Sequence, residues 1–293
     1  MAQAEKVETK METTLEKLSD FTLHLADSAL ILGQRNAEWC GHGPILEEDL
    51  AMANNSLDLI GQARLLYQQV AEIRGNNCSE DQLAYFRDES AFKNFTLLEL
   101  PHSTALAPSA KGQRDYAVTV ARNFLYSAYM MGIWSTLAST PSLAAFAGAN
   151  HEVQVQNEKA LKLANLSTNL KAVASKSYKE TEYHLRHASD WVIRMGDGTT
   201  ESHQRIQQAF HHLMPYTQEF WTQQSPAALQ LDLASIKAKW DATVSDVLSE
   251  ATLVVPSAQG FLPTGTQGVH SEHMGFLLSE MQGLARAHPG AVW

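Results

Sequence analysis

Residues 18–60 read LSDFTLHLADSALILGQRNAEWCGHGPILEEDLAMANNSLDLI, and this stretch decides the fold class. Its first half has apolar residues at steps of three and four: Leu18, Phe21, Leu25, Ala29 and Leu32. That spacing predicts an amphipathic helix over about residues 14–39, which the Gly41-His42-Gly43-Pro44 cluster ends. The second half repeats the steps on one face of a second helix, with Leu46, Leu50, Ala53, Leu57 and Ile60. Two long helices joined by so short a break are expected to pack antiparallel.

The rest of the chain continues the helical pattern. Short helices are predicted from Ser79 through Phe86 and around Phe92–Leu98, and a loop over 101–112. Longer helices are predicted at about 113–139, 153–195, 200–222, 232–251 and 271–287. No stretch alternates like a strand, and no linker divides the chain. We therefore expect an all-α fold with residues 14–293 as one domain that includes a C-terminal extension, preceded by a flexible tail over 1–13.

The charge balance excludes some partners. The chain has 293 residues, of which 22 are Lys or Arg and 32 are Asp or Glu, for a formal net charge of -10. Such a charge repels nucleic acids and anionic membranes, so neither is expected as a partner. An acyl-CoA site would need a local basic patch, and no Lys/Arg cluster stands out in the sequence.

The cysteines and the N-terminus point to the cytoplasm. Cys40 and Cys78 form no CxxC pair, which favours free thiols in a reducing compartment. The first residues, MAQAEKVETKMETTLEK, are charged and include no apolar segment of the length that a signal peptide or membrane span requires. We therefore expect a cytoplasmic protein.

A di-metal site in a helical bundle has a recognisable ligand pattern, with one Glu from each of two helices and a Glu-x-x-His pair from each of the other two. The candidates here are incomplete. Glu38 ends the first helix, Asp58-x-x-Gly61 stands where the first pair would be, and Glu180-x-x-Tyr183 stands where the second would be. The third long helix has no acid between Asp115 and Pro141. Because each missing anion leaves cation charge uncompensated, we predict a degenerate site that holds no metal.

The remaining polar residues have a structural interpretation and a metal-binding alternative. Together with Asn54 and Gln62, the candidates Glu38, Asp58, Glu180 and His184 are expected to form a buried hydrogen-bonded cluster in the bundle interior. His184 and His187 share a helical face with Glu180, so a mononuclear metal site stays open. His270-x-x-His273 with Glu272 is a second such set, although it opens a predicted helix, where polar residues commonly cap amides. The phosphate-loop and dinucleotide-binding spacings are missing, so no nucleotide cofactor is indicated.

Three blocks carry a family resemblance: EWCGHGPILEEDLAMANNSLDLIGQAR, YHLRHASDWVIRMGDGT and HSEHMGFLLSEMQ. Together they resemble the C-subunit family of phenylacetyl-CoA epoxidases, over most of the chain from about Leu18 to Trp293. The resemblance implies a ferritin-like helical bundle with additional C-terminal helices. It also implies a non-catalytic structural subunit within an oxidoreductase complex of phenylacetate catabolism. Such a subunit is not an enzyme by itself.

The resemblance also implies the partners and cofactors. The family's catalytic A subunit holds the di-iron site and epoxidises the aromatic ring, and a reductase subunit supplies electrons from NADPH. This chain would then have no cofactor of its own. The stretch 143–177 departs from the family by several extra turns, and Ser127 stands where relatives can have an acid.

Two alternatives remain open at this stage. One is a divergent metal-dependent oxygenase that acts by itself through Glu38, Asp58, Glu180 and His184. The other is a homodimer that forms through the partner-binding face. For that face, the leading candidates are the aromatic-rich helix over 113–139 and the first two helices.

Overall fold

The computed structural model describes residues 2–75, 78–104, 114–139, 158–222, 231–259 and 263–291. Nine α-helices lie within these ranges, which contain no β-strand. They are α1 (Ala2–Ala37), α2 (Leu46–Arg74), α3 (Glu80–Tyr85), α4 (Thr96–Glu99), α5 (Tyr116–Ser139), α6 (Glu158–Gly196), α7 (Thr200–Leu213), α8 (Leu233–Glu250) and α9 (Glu272–Ala287). Short 3₁₀ turns occupy Glu89–Ala91, Met214–Phe220 and Gly265–Gln267. The all-α prediction is confirmed.

Four long helices build the bundle. Helix α1 packs along α2, α5 packs along α6, and α6 joins the two pairs by contacting both α1 and α2. The break between α1 and α2 falls at the predicted glycine cluster, where the Gly43 amide donates to Asp49 Oδ2 at 3.0 Å. That hydrogen bond ties the loop to the first turn of α2. Among the described residues, no helix is both long enough and apolar enough to cross a membrane.

Several boundaries differ from those predicted. Helix α1 begins at Ala2 rather than near residue 14, because Ala, Glu, Lys and Met in the first residues favour a helix. The segment predicted as helical at Phe92–Leu98 forms helix only over Thr96–Glu99. The Ser79 cap is confirmed, since its side chain accepts from the Gln82 amide. Most of the predicted loop over 101–112 lies outside the described residues. The part of the stretch 143–177 up to residue 157, where extra turns are predicted, lies outside them as well.

Helix α5 is the centre of the core. Phe124, Tyr129 and Trp134 are fully buried, and Met130 and Ile133 are buried as well. Neighbouring helices cover α5 on several sides, because α6, α7 and α8 all contact it. The aromatic residues of α5 therefore serve the interior of this chain and are not available to a partner, contrary to the expectation that they form a binding face.

The C-terminal helices close over the bundle. Trp240 Nε1 of α8 donates to the Leu125 carbonyl oxygen at 3.0 Å, and Ile236 lies so close to Gly132 that a Cβ there would be 2.6 Å from its Cγ2 atom. Helix α9 is fixed at its start by His270, whose Nδ1 atom lies 2.7 Å from Glu99 Oε2. Contacts with α5 and α4 thus hold the extension onto the bundle.

Helix α2 has two apolar sides, and only one of them faces the core. Its buried side includes Met52, Leu59, Ala63, Leu66 and Val70. The predicted face of Leu46, Leu50, Ala53, Leu57 and Ile60 lies outward, and we call these five residues the α2 outer stripe. Their exposed fractions reach 72% at Leu46, 56% at Leu50, 67% at Leu57 and 39% at Ile60. Leu46, Leu50 and Leu57 are not covered by any described part of the chain, whereas Ile60 lies against Gly33 of α1.

Candidate functional site

The predicted site residues of α2 and α6 meet in two pairs. His184 Nε2 lies 3.0 Å from Asp58 Oδ2, and Gln62 Nε2 donates to Glu180 Oε2 at 2.9 Å. Lys176 Nζ, one turn before Glu180, lies 2.9 Å from Glu180 Oε1. Both carboxylates are thus occupied by nitrogen partners, and each pair joins α2 to α6. The expected contact between Asp58 and His184 is present.

A third pair continues the same seam toward the start of α2. His187 Nε2 lies 3.0 Å from Glu48 Oε2, and the Tyr116 hydroxyl of α5 donates to that oxygen at 2.5 Å. Burial, followed by this hydrogen bond and the carboxylate charge, raises the pKa of Tyr116, so the phenol stays protonated as the donor. Glu48 was not among the predicted site residues, although it links three helices.

Glu38 makes its contacts in a different group of residues. Its Oε1 atom accepts from Arg35 Nη1 at 2.6 Å, and its Oε2 atom lies 3.8 Å from His102 Nε2. Its backbone carbonyl accepts from Arg114. The contacts of Glu38 are made with α1 and with the chain leading into α5, and none is made with Asp58, Glu180 or His184. A single cluster of all four predicted residues is therefore not observed in these contacts.

Gly61 and Tyr183, where the metal-binding histidines would stand, lie toward the outside. A Cβ built on Gly61 meets no atom within 4 Å. Tyr183 is 45% exposed, and its ring stacks on His187 with the centroids 6.3 Å apart. Tyr183 thus does not belong to a buried cluster. Ser127, by contrast, is buried in α5.

The donor set does not fit a di-iron centre. Such a centre needs four carboxylates and two histidines that converge, whereas Asp58 and Glu180 are each taken by a separate partner and two ligand positions are Gly and Tyr. Within the described ranges, no group of three or more His, Cys, Asp or Glu side chains is placed to hold a metal ion. His184 and His187 contact different carboxylates, and His270 contacts Glu99. No metal-dependent step follows from this arrangement.

A buried polar network that sequence reasoning missed links α1 to α5. His102 Nε2 lies 2.7 Å from the Arg35 carbonyl oxygen, so this nitrogen carries the proton and donates. Its Nδ1 atom then accepts, from Arg122 Nη2 at 2.9 Å and from Thr119 Oγ1 at 2.5 Å. Burial and the nearby Arg122 charge lower the pKa of His102 well below its usual value, which keeps the ring in this neutral form.

Arg122 is fully buried, and no described carboxylate pairs with it. It is held by carbonyl and imidazole acceptors, and burial lowers its pKa to about 9. The sequence does indicate that Arg122 is unusual, because it is the lone cation in the apolar run YAVTVARNFLYSAYMM. Its partner His102 is 20 residues away in the sequence, and no spacing rule connects the two.

Comparison with known proteins places this arrangement in a family. The family model described as "Phenylacetic acid catabolic protein" matches residues 1–153 and 150–293, which together span the chain. The chain belongs to this family.

A curated relative permits a more specific comparison within this family. The chain is 35% identical over 285 residues to the C subunit of 1,2-phenylacetyl-CoA epoxidase from Escherichia coli (strain K12), covering 95% of this chain and 100% of that protein. The resemblance expected from the three sequence blocks is confirmed. The two family matches meet at residues 150–153, inside the stretch 143–177 for which the sequence predicts extra turns.

Proposed function

We propose that this chain is a non-catalytic structural subunit of a 1,2-phenylacetyl-CoA epoxidase complex in phenylacetate catabolism. It supports a catalytic subunit that holds the di-iron centre, while a reductase subunit supplies electrons from NADPH. The similarity to the C subunit of an epoxidase supports the complex, and the mismatched donor set supports the non-catalytic role. On this proposal the chain binds no cofactor and acts through its surface.

The α2 outer stripe carries the proposal. Single exposed apolar residues are common on proteins, but a contiguous row of them marks an interaction site. Leu46, Leu50, Ala53, Leu57 and Ile60 are spaced four, three, four and three residues apart, so they form one row on the helix. The row extends over 14 helical steps, or about 21 Å. Its 3.5-residue average period is the one that packs against a second helix.

The occupant proposed for the stripe is an apolar helix of the catalytic subunit. A second copy of this chain would bring another net charge of -10 to the contact, which disfavours self-association at low salt. An obligate interface between two chains buries more than about 2,000 Å² in total, with apolar side chains at its centre. The stripe supplies that apolar centre, and polar residues around it would form the rim.

Co-expression with the catalytic subunit tests the proposal. The wild-type pair should elute as one complex in size-exclusion chromatography and support NADPH-driven epoxidation when the reductase is present. The catalytic subunit alone should be less soluble or inactive, and this chain alone should have no oxygenase activity. Separate elution of the two chains, with full turnover by the catalytic subunit alone, would overturn the structural role.

A stripe variant then tests the surface. Leu50→Glu with Leu57→Glu places two charges at the centre of the proposed interface and should abolish the complex, because a buried unpaired charge costs several kcal/mol. Both residues are exposed, so the fold should change by less than about 0.5 kcal/mol each. Leu284→Glu on α9, where Leu284 is 60% exposed, is the matched control and should leave the complex intact. If the stripe variant forms the complex as well as the wild type does, the interface lies elsewhere.

A further inference from the structure

A cavity of about 690 Å³ lies where α1 meets the end of α2, the segment between α3 and α4 and the segment before α9. Its wall includes Asp20, His24, Arg74, Arg87, Lys93 and Thr266. A volume of this size is in the range of small-molecule sites. The cavity is separate from the α2–α6 seam that holds Asp58, Glu180 and His184.

Positive charge is concentrated in the cavity, although the protein as a whole is acidic. Arg87 is balanced, because its guanidinium donates to both carboxylate oxygens of the buried Asp27. Arg74 and Lys93 have no carboxylate within ion-pair distance among the described residues, and Asp20 is the one acid in the described wall. Two free cations against one acid leave an excess of positive charge in the cavity, although the whole chain has a net charge of -10.

His24 adds an unpaired polar atom. Its Nδ1 atom lies 2.6 Å from the Lys93 carbonyl oxygen, so Nδ1 carries the proton and donates. Burial lowers the pKa of His24, which leaves the ring neutral and Nε2 an acceptor. The Nε2 atom is buried and has no hydrogen-bond partner, although such atoms are almost always paired. The neutral ring adds no charge to the wall, so the excess positive charge comes from Arg74 and Lys93.

From this geometry we infer that the cavity is a binding site for a phosphate group, held by Arg74 and Lys93. A phosphate matches both, because its charged oxygens accept charged hydrogen bonds from the two cations. A free anion and a phosphate ester such as a coenzyme A nucleotide both present this group, and the chemistry at the two side chains is the same. The site is independent of the proposed structural role and needs no partner chain.

Isothermal titration calorimetry of the full chain with sodium phosphate, sodium pyrophosphate and coenzyme A tests the site. At least one of the three should bind saturably below about 10 mM and lose affinity as NaCl rises. Tighter binding of coenzyme A than of pyrophosphate identifies the ester as the source, whereas equal or weaker binding identifies the free anion. If none of the three saturates, the inference is wrong.

Charge variants locate the binding. Arg74→Gln with Lys93→Gln should weaken the bound probe at least about tenfold, because two charged hydrogen bonds are lost. Lys171→Gln with Lys239→Gln makes the same charge change on two exposed lysines of α6 and α8 and should leave affinity within about twofold.

A variant of opposite sign completes the test. Asp20→Asn removes the one acid of the described wall and should tighten binding roughly two- to fivefold, since it removes a repulsion at an exposed position. Equal losses in the cavity variant and in the exposed-lysine control would show that only net charge matters and would overturn the site. Unchanged affinity in the cavity variant would overturn it as well.

Discussion

The Glu99–His270 pair shows how two buried ionisable side chains are retained as charges in this protein. Both side chains are fully buried. Glu99 accepts from Asn94 Nδ2 at 3.0 Å and from the Ser271 amide at 2.5 Å, besides its contact with His270. The two nitrogens of His270 face Glu99 Oε2 and the Phe92 carbonyl oxygen, which both accept, so both nitrogens carry protons. His270 is therefore an imidazolium in the folded chain.

This pair gives a prediction for stability against pH. Burial disfavours the charged ring, but the hydrogen bond and the charge of Glu99 outweigh it and raise the pKa of His270 above 6.5. A raised folded-state pKa means that the contribution is complete below pH 6.5 and is lost as pH rises through the folded-state value. His270→Gln should cost about 3 kcal/mol at pH 6, and the cost should shrink at higher pH. Urea unfolding of both proteins from pH 6 to 9 measures it.

Several other histidines do not interfere in that pH window. Burial lowers the pKa of His24, His102 and His212, so the changes in folding stability that come from these three groups occur below pH 6.5. Comparing wild type with the His270→Gln variant at each pH removes what they share. A cost that stays constant from pH 6 to 9, or grows, would contradict the imidazolium assignment.

The outward positions of Gly61 and Tyr183 give a second residue-scale prediction. Restoring the two missing histidines by Gly61→His and Tyr183→His should not create a di-iron centre, because both side chains would project away from the interior. Iron content after reconstitution, measured by mass spectrometry, should match that of the wild type. Two iron atoms per chain in the double variant would show that these positions do converge.

At the scale of the helices, close approach depends on small residues at crossing points. Helix α8 crosses α5 at Gly132, where a Cβ would lie 2.6 Å from Ile236 Cγ2. That distance is well inside van der Waals contact, so no ordinary side chain fits without moving one helix. The glycine in the middle of an apolar helix, which costs stability on its own, is explained by this contact.

Gly132→Ala should therefore destabilise the fold by about 1–3 kcal/mol, although alanine is the better helix former. Ile236→Ala alone should cost about 2–5 kcal/mol through the cavity it leaves. The double variant should cost less than the sum, because the smaller residue at 236 makes room for the new methyl group. Urea unfolding of the four proteins in a double-mutant cycle gives the coupling. Simple additivity would show that the two residues do not share the space.

At the scale of the whole molecule, the α2 outer stripe conflicts with solubility unless something covers it. In the isolated chain, two effects oppose each other: apolar burial favours pairing of two stripes, and the charge of -10 on each chain disfavours it. Salt screens the second effect and leaves the first. The balance should therefore depend on ionic strength.

We expect the isolated chain to be mostly monomeric at low salt and to self-associate more strongly as NaCl is raised, when it is followed by analytical ultracentrifugation. The Leu50→Glu, Leu57→Glu variant should stay monomeric throughout, and Leu284→Glu should behave as the wild type. Self-association that weakens with salt, or that survives in the stripe variant, would show that a polar surface elsewhere is responsible.

The sequence by itself determined the helices and most of their ends. Helices α5, α7, α8 and α9 lie within a few residues of their predicted ranges, except that the predicted 200–222 ends in a 3₁₀ turn at Phe220. Periodicity and the caps and breakers are local properties, so one sequence is enough to predict them. The missing ligands at Gly61 and Tyr183 were visible for the same reason.

Only the tertiary structure decided which side of each helix faces inward. Helix α2 has one apolar row at Met52, Leu59 and Leu66 and another at Leu50 and Leu57, and the sequence does not choose between them. The polar partners made the choice, because Glu48, Asn55 and Gln62 share the inner side and the first and last of these bond to α6.

The same limit applies to the sites. Asp20, Arg74 and Lys93 line one cavity although 54 and 19 residues separate them in turn. Contacts between residues so far apart depend on how the helices cross, and a crossing is set by packing over the whole molecule rather than by any local pattern. Net charge predicted an acidic protein correctly, but where the positive charges gather was decided by the fold.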